Sequence, residues 1–385
     1  MSARRVPLGV LDLVPVSSGS TAGDAIRNSI DLAQRVEDLG FRRYWFAEHH
    51  LNPGVAGTSP PVLVALAASA TRSLRLGSGG VQSGHRTALS VVEEFGLIDA
   101  LFPGRIDVGL GRSGGRNFLK ERVADRPEPG TTSAPRPAPT PRHVTEDGVL
   151  IPERPSLKHL IGSPLLALTA ELLQQEGAHS APYTELVEDV VGLLRGTYRS
   201  PDGIDPRPVP GQGADVEVWV LGSSAGESAS VAGRLGLRFA ANYHVSPATV
   251  LEATEAYRSA FVPSAELPRP YVAVSADVVV GATDAAARDL ASGFGLLVLG
   301  IRKGEGAGPY PSPQEAARHR WTPEETLLVA DRVDTQFVGS PDTVADGLGR
   351  LVEATGADEV VVTTITHDHA DRIRSYELLA KEWRG

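Results

Sequence analysis

Residues 74–110 read LRLGSGGVQSGHRTALSVVEEFGLIDALFPGRIDVGL, and this stretch predicts the fold. The apolar run Leu74–Gly80 is typical of a strand, and Ala88–Leu101 has the apolar spacing of a helix. A Pro-Gly turn signal then precedes a second strand at Arg105–Leu110. A strand, a helix and a strand in this order indicate a βαβ unit, whose two strands lie parallel.

The same alternation continues on both sides of this unit. Eight strands are predicted, at Val6–Leu11, Tyr44–Ala47, Leu74–Gly80, Arg105–Leu110, Val216–Leu221, Leu237–Asn242, Tyr271–Val280 and Glu359–Thr364. Helices are predicted at Ala25–Leu39, Val62–Ala70, Ala88–Leu101, Leu160–Glu176, Pro182–Gly196, Ser228–Leu235, Pro247–Phe261, Asp342–Ala354 and Asp368–Glu382. Eight parallel strands are the number that closes a barrel, so we predict an α/β TIM barrel that forms one domain over residues 1–385. An open, doubly wound sheet is the alternative.

Two long insertions interrupt the alternation. The first, residues 114–160, contains eight of the 29 prolines between Pro127 and Pro155. Because proline lacks an N–H group and fixes φ, this segment is predicted to form no regular element and to be mobile. The second, residues 302–321, is rich in Gly and Pro and is predicted to be a loop or lid. In a barrel both would leave from the C-terminal face, where active sites lie.

Composition excludes several classes of protein. The 385 residues include no Cys, which excludes disulfides, thiolate metal sites and a Cys nucleophile. The net charge of −10, from 47 acidic and 37 basic residues, argues against a nucleic-acid partner. No window approaches about 18 consecutive apolar residues, so no membrane span is predicted. We expect a soluble, cytoplasmic protein.

Glu48, His49 and His50 directly follow the second predicted strand. Neighbouring residues on extended chain point to opposite faces, so both imidazoles cannot easily bind one metal ion. One histidine acting as an acid, a base or a hydrogen-bond donor is the better use, and a structural histidine pair is the other interpretation. A barrel metallohydrolase that uses His49, His50 and His85 would instead require a metal.

Three further clusters at strand ends suit a flat ligand with an anionic group. Gly79 and Gly80 would let the backbone approach a flat ring. Arg112 could clamp a phosphate, or form a rim salt bridge with Glu48 or Glu93. The segment Leu221–Gly226 opens a predicted helix, where amide groups and the helix dipole attract anions, unless a serine merely caps the helix. Dinucleotide and Walker A fingerprints are absent from the sequence, so a monophosphate such as FMN fits better than a dinucleotide.

Together, these segments resemble the bacterial luciferase-like monooxygenases. The matching stretches are Arg43–His50, Leu74–Gly80, Glu93, Pro103–Arg112, Leu221–Ser224, Val338–Pro341 and Arg374–Glu377, and the resemblance covers residues 6–120 and 160–383. It implies a dimeric TIM barrel that binds reduced FMN from a separate flavin reductase. It also implies that flavin and O₂ form a C4a-peroxide, which oxygenates a small organic substrate.

The resemblance also implies roles for individual residues. His49 matches the catalytic histidine, Gly79-Gly80 matches a non-prolyl cis peptide beneath the flavin ring, and no metal is implied. The cofactor-binding residues implied by the motifs are Gly79, Gly80, Glu93, Arg112, Gly222, Ser223 and Ser224.

The sequence also departs from the family pattern. Gly111 stands where luciferase has a reactive Cys, and Ser83–Arg86 replaces a Leu-Pro-x-His rim. These differences favour a branch that modifies natural-product intermediates over long-chain aldehyde bioluminescence. The alternatives are an F420-dependent oxidoreductase that transfers hydride and a non-catalytic flavin-binding protein.

Overall fold

Eight parallel strands form a closed barrel in the computed structural model, which describes residues 5–112, 141–156, 160 and 163–384. The strands are β1 (Leu8–Asp12), β2 (Arg43–Phe46), β3 (Arg75–Ser78), β4 (Ile106–Gly111), β5 (Val216–Gly222), β6 (Arg238–Asn242), β7 (Val272–Val280) and β8 (Glu359–Thr363). Each pairs in parallel with the next, and β8 pairs with β1. The predicted TIM barrel is therefore confirmed.

Helices surround the barrel. Within the described ranges they are α1 (Ala22–Asp38), α2 (Pro60–Ala70), α3 (Ala88–Leu101), α4 (Pro164–Leu173), α5 (Tyr183–Arg195), α6 (Glu227–Arg234), α7 (Val250–Ala260), α8 (Asp284–Leu290), α9 (Phe294–Lys303), α10 (Pro313–Ala316), α11 (Pro323–Val333), α12 (Pro341–Thr355) and α13 (His369–Arg384). Helix α1 begins at Ala22, three residues before the predicted start, because Thr21 caps it through a capping box with Asp24. None of the helices in the described ranges is both long and apolar enough to cross a membrane.

Strand β7 shows how sequence alternation builds the core. Val272 and Val274 pack outward with the surrounding helices, whereas Ala273 belongs to the cluster inside the barrel. The period of two places Ser275 and Asp277 on the same inner face as Ala273. A shift of one residue in the register would exchange the two faces, so the apolar pattern fixes it.

Buried charges fill the N-terminal end of the barrel interior. Arg43 is completely buried, and its Nε donates to Oε1 of Glu359 at 2.6 Å. Its guanidinium also pairs with Asp107, which accepts a hydrogen bond of 2.8 Å from Nε1 of Trp45. This ionic layer closes one end of the barrel, so a ligand would meet the side chains at the C-terminal end.

The connection between β7 and β8 is more regular than predicted. It contains α8 to α11, and the predicted loop of residues 302–321 begins inside α9 and includes α10. We call residues 304–312 the roof segment. Its Tyr310 N donates to Val16 O at 2.8 Å, and its Ala307 O accepts from Gly54 N at 2.8 Å. The roof segment is therefore tied to the loops that follow β1 and β2.

Most of the proline-rich insertion lies outside the described residues, so the predicted mobility of 114–160 stays a prediction. Its described end corrects one expectation, because His143–Val144 and Leu150–Ile151 form a short antiparallel hairpin. Gly148 allows the turn by adopting a φ of +83°. The hydroxyl of Tyr243 donates to Leu150 O at 2.7 Å and holds the hairpin beside β6. The strand pairing was not predicted because the many prolines of residues 114–160 indicated a segment without regular elements.

Candidate active site

A small pocket lies inside the barrel, between the ionic layer and the C-terminal strand ends. Side chains from six barrel strands line it, among them Leu11, Trp45, Asn242 and Ser275. Its floor is mainly apolar, and polar groups lie on the rim above it. These rim groups decide what the site can bind.

Glu48 is the centre of an ion-pair cluster after β2. Its Oε1 lies 3.0 Å from Nε2 of His50, 3.1 Å from Nε2 of His85 and 3.3 Å from Arg86. Burial acts to raise the pKa of Glu48, but hydrogen bonds from both histidines and the charge of Arg86 hold that pKa well below its usual range. Gln82 N also donates to Oε2 of Glu48 at 2.8 Å, which joins this loop to the segment after β3.

This cluster has the residue types of a metal site. One ligand atom from each of Glu48, His50 and His85 lies within 4.8 Å of the others. His49 is outside the group, as expected for neighbouring residues that face opposite ways. However, the carboxylate oxygen that would bind the metal already pairs with Arg86, whose cation would repel one. The cluster therefore suits loop positioning better, and the absence of a metal stays a prediction.

His49 has the properties of a neutral hydrogen-bonding group. Burial, with a smaller effect from His50, lowers its pKa to about 4, so the imidazole is uncharged near pH 7. Its Nδ1 is buried and has no hydrogen-bond partner among the described residues. A neutral imidazole donates from one nitrogen and accepts at the other, so His49 could move a proton in either direction.

Gly79 and Gly80 make a close-packed surface at the end of β3. The peptide bond between them is cis, as the family resemblance implies. A Cβ atom on Gly79 would lie 2.5 Å from Leu11 Cδ1, and one on Gly80 would lie 2.5 Å from Gly109 O. Larger residues would therefore require their neighbours to move.

Arg112 lies exposed at the end of β4, opposite the start of α6. Its guanidinium is 3.3 Å from Oε2 of Glu227, so the predicted alternative of a rim salt bridge with Glu48 or Glu93 is wrong in its partner. Oε1 of Glu227 accepts a hydrogen bond of 2.9 Å from the Thr184 hydroxyl. Arg112 is thus available to an anion that competes with Glu227.

Ser223 and Ser224 follow β5 in the loop before α6. Gly226 is the N-cap of α6 and no side chain caps the helix, so the interpretation of these serines as caps is wrong. Gly222 lies against Phe239, whose Cε2 would be 2.6 Å from an added Cβ. Gly111 and Leu221 pair across β4 and β5, so Arg112 and this loop follow neighbouring strand ends.

Glu93 is the predicted site residue with the weakest structural link to the rest of the site. It lies half-buried on α3, and its neighbour Glu94, rather than Glu93, pairs with Arg86 at 2.6 Å. The other predicted residues are brought to the ends of β2, β3, β4 and β5, which are consecutive around the barrel.

A second set of polar side chains lies at the mouth, and its residues were not among those predicted from the sequence. The Nδ1 of His244 lies 2.5 Å from the Ser275 hydroxyl, and Arg332 contacts Oδ2 of Asp277 at 3.3 Å. Burial lowers the pKa of His244 to about 3, with smaller effects from Arg332 and His49. Ser275 and Asp277 at alternate positions of the otherwise apolar run VAVSADVVV were the signal that could have revealed it.

The closed barrel and its polar C-terminal mouth define a TIM-barrel protein with a candidate ligand site. The luciferase-like monooxygenase family matches residues 6–133 and 182–359. The chain is 33% identical over 378 residues to the luciferase-like monooxygenase of Escherichia coli (strain K12), covering 98% of this chain and 97% of that protein. The chain therefore belongs to the luciferase-like monooxygenase family.

Solved structures agree with this assignment. The apo form of MsnO8 is 29% identical with a TM-score of 0.76, covering 99% of this chain and 98% of that one. The FMN complex of the oxygenating component of 3,6-diketocamphane monooxygenase from Pseudomonas putida is 17% identical, with a TM-score of 0.62 and 98% of both chains covered. An F420-dependent secondary alcohol dehydrogenase is 16% identical, with a TM-score of 0.58, covering 99% of this chain and all of that one (100%). The last two share only the fold.

Proposed function

We propose that the protein is a flavin-dependent monooxygenase that uses reduced FMN and O₂ to oxygenate a small organic substrate. The observation that carries this proposal is the convergence of an exposed Arg112, the Ser223–Ser224 loop and the Gly79–Gly80 surface at neighbouring strand ends. A cation and a helix start suit a terminal phosphate, and a surface without side chains suits a flat ring. Family membership supports the same conclusion.

The residues present fit FMN. Arg112, the Ser223 and Ser224 hydroxyls and the amide groups before α6 would hold the phosphate, and Gly79–Gly80 would support the ring. Glu93 and Gly222 stay proposed cofactor contacts on the motif match alone. The phosphate would displace the Glu227 carboxylate from Arg112, while the Thr184 hydroxyl continues to hold Glu227.

Bound reduced FMN would supply the electrons that activate O₂. His49 would then donate or accept a proton through one of its ring nitrogens, because its lowered pKa keeps it neutral near pH 7. The roof segment would exclude water from the mouth, because its backbone hydrogen bonds fix it to the loops after β1 and β2. We also propose that a separate reductase supplies the reduced flavin, as the family resemblance implies.

Stopped-flow absorbance tests the oxygen chemistry. The protein is mixed with reduced FMN and then with oxygenated buffer. A transient absorbance that outlasts the reoxidation of free FMN is expected. Reoxidation at the free-flavin rate would contradict the proposal. Anaerobic hydride transfer from reduced F420 would then favour the F420-dependent alternative, and tight but unreactive FMN would favour a binding protein.

Substitutions at the phosphate side should change FMN affinity in opposite directions. Arg112→Gln removes a charge-assisted hydrogen bond, so FMN is expected to bind about 10- to 100-fold more weakly. Glu227→Gln removes the competing carboxylate and is expected to tighten binding. FMN fluorescence titration measures both. Arg234→Gln is the control, because Arg234 also pairs with a surface carboxylate, that of Glu188 at 2.9 Å. Equal affinities in all four proteins would exclude this phosphate site.

We further propose that a second copy of the chain covers α2 and α3. Val62 on α2 and Leu101 on α3 are 58% and 75% exposed, and Leu66 and Leu97 are exposed on the same two packed helices. A row of exposed apolar side chains on adjacent helices is typical of an interface. Light scattering is expected to give twice the chain mass, and Leu97→Glu with Leu101→Glu should give monomers. Leu327→Glu, at an exposed position on α11, should stay dimeric; a wild-type monomer would contradict the proposal.

A further inference from the structure

We propose that the β7–β8 side of the mouth binds a carbonyl-type acceptor oxygen of the substrate, as found in a carboxylate or an amide. The site comprises Asp277, Tyr310, Arg332 and Thr363, and we call it the acceptor recess. Its assignment to the substrate rests on the proposed function, because FMN would occupy the β3–β5 side of the mouth. The β7–β8 side then remains for the second reactant.

Strand register places the floor of the acceptor recess. Asp277 on β7 lies directly across from Thr363 on β8. Two residues earlier on these strands, Ser275 and Val361 line the pocket inside the barrel. Because alternate residues share a face, Asp277 and Thr363 belong to the same inner wall, one step nearer the mouth.

The connection between β7 and β8 supplies the other two residues. Arg332 on α11 reaches Asp277 with a guanidinium nitrogen at 3.3 Å. Tyr310 belongs to the roof segment, and the nearby Asp277 charge adds to burial in raising the pKa of its hydroxyl. Tyr310 and Arg332, which are 33 and 55 positions after Asp277 in the sequence, are thus held beside it by the roof segment and α11.

Unused hydrogen-bonding atoms indicate that the acceptor recess is built for a ligand. Arg332 Nε, the Tyr310 hydroxyl and the Thr363 hydroxyl are buried and have no partner among the described residues. Tyr310 and Thr363 are only 1% and 2% exposed. Buried polar groups are costly unless they are hydrogen-bonded, so three unpartnered groups that each neighbour Asp277 call for an explanation. All three can donate, and an acceptor oxygen would satisfy them.

The charges determine which ligand is admitted. Arg332 is paired with Asp277, and the neighbouring Arg302 is paired with Asp331 at 2.5 Å. The pairs leave little net charge, while Arg332 Nε remains a positively charged donor without a partner among the described residues. Carbonyl oxygens of amides and carboxylates suit this environment. An ammonium group offers no acceptor and would be repelled.

His244 joins the acceptor recess to His49. The Ser275 hydroxyl donates to Ala241 O at 3.3 Å, so it accepts from His244 Nδ1–H at 2.5 Å. This assigns the neutral tautomer that leaves Nε2 as an acceptor. Arg332 and His49 both lie close enough to His244 to help lower its pKa, which places the three side chains in one neighbourhood. A substrate anchored in the acceptor recess would therefore extend past His244 toward His49.

Three probes with six carbon atoms each test the inference: hexanoate, hexanamide and hexylamine. Binding is measured by calorimetry with FMN-loaded and with FMN-free protein. At least one of the two carbonyl probes should bind, and hexylamine should not; the preferred probe tells whether the acceptor is charged. Thr363→Val and Tyr310→Phe each remove one hydroxyl with little change of shape, and each should weaken that binding about five- to tenfold.

Thr364→Val is the matched control. It removes a hydroxyl from the next residue, which lies on the side of α13, near Tyr376, and should leave probe binding unchanged. The inference is overturned if neither carbonyl probe binds, if hexylamine binds equally well, or if Thr363→Val and Tyr310→Phe bind the probes as the wild type does. Failure of FMN binding with normal probe binding would instead refute the proposed function alone.

Discussion

Replacing Arg43 with methionine is expected to lower the free energy of unfolding by about 3–5 kcal/mol. Arg43 is completely buried at the closed end of the barrel, where it pairs with Asp107 and Glu359. Methionine would leave both carboxylates buried without their main cation. Charges in such a site lose their hydration and depend on the partner for compensation, so removing one partner costs more than the pair contributes.

Urea unfolding followed by circular dichroism measures this change. Arg42→Met is the control, because Arg42 is half-exposed and its contact with Oε2 of Glu359 is long, at 3.8 Å. The loss of this contact should lower the free energy of unfolding by less than about 1 kcal/mol. Adding Asp107→Asn and Glu359→Gln to Arg43→Met should recover part of the stability. Equal losses for Arg43→Met and Arg42→Met would show that the ionic layer is not responsible.

Replacing His49 with alanine is expected to shorten the transient absorbance, seen when O₂ meets protein-bound reduced FMN, by about 100-fold or more. In the proposed arrangement His49 is the neutral imidazole beside the flavin side of the mouth, so alanine removes the group that would donate or accept the proton there. FMN affinity should change less than twofold because Arg112 holds the phosphate. Stopped-flow absorbance and FMN titration measure the two effects separately.

The pH dependence gives an independent check on His49. Burial lowers its pKa to about 4, so the imidazole gains a proton only as the pH falls toward 4. The lifetime of the wild-type transient should therefore not vary with the charge of His49 between pH 6 and 8. His319→Ala is the control for the substitution of His49, since His319 pairs with Glu325 at 3.1 Å and is not one of the proposed site residues. If the transient absorbance of His49→Ala lasts as long as that of the wild type, the proposed catalytic role of His49 is wrong.

The sequence predicted local elements well because their signals are local. The helix Ala88–Leu101 was predicted with its observed bounds, since apolar spacing and the Pro-Gly turn lie within it or next to it. The four helices α8–α11 between β7 and β8 were not predicted, because the Gly- and Pro-rich run of residues 302–321 in that connection resembles a loop. The order of this run depends on hydrogen bonds between Tyr310 and Val16 and between Ala307 and Gly54, which lie 294 and 253 residues apart in the sequence, so no short window contains them.

The residues of the candidate site also fall into those that the sequence could predict and those that it could not. The Glu-His-His run, the glycine pair and Arg112 could be found because each lies at the end of a predicted strand. The choice of Glu227 as the partner of Arg112 could not be found, since it depends on how α6 is placed relative to β4. His244 and Asp277 belong to no recognised motif. Their place in the site became evident only from their contacts with Ser275 and Arg332 in the structure.

The sequence by itself determined the eight strands, the helices between most of them and the strand ends that carry polar groups, because alternation and turn signals act over a few residues. Closure of the barrel was decided by the pairing of β8 with β1, at opposite ends of the chain. The tertiary structure alone decided which charges meet. It placed Arg43 among three acidic side chains, turned His50 rather than His49 toward Glu48, and brought Arg332 to Asp277 across 55 residues. Ion pairs and desolvation depend on distances in space, which chain closure and packing set, so sequence spacing does not reveal them.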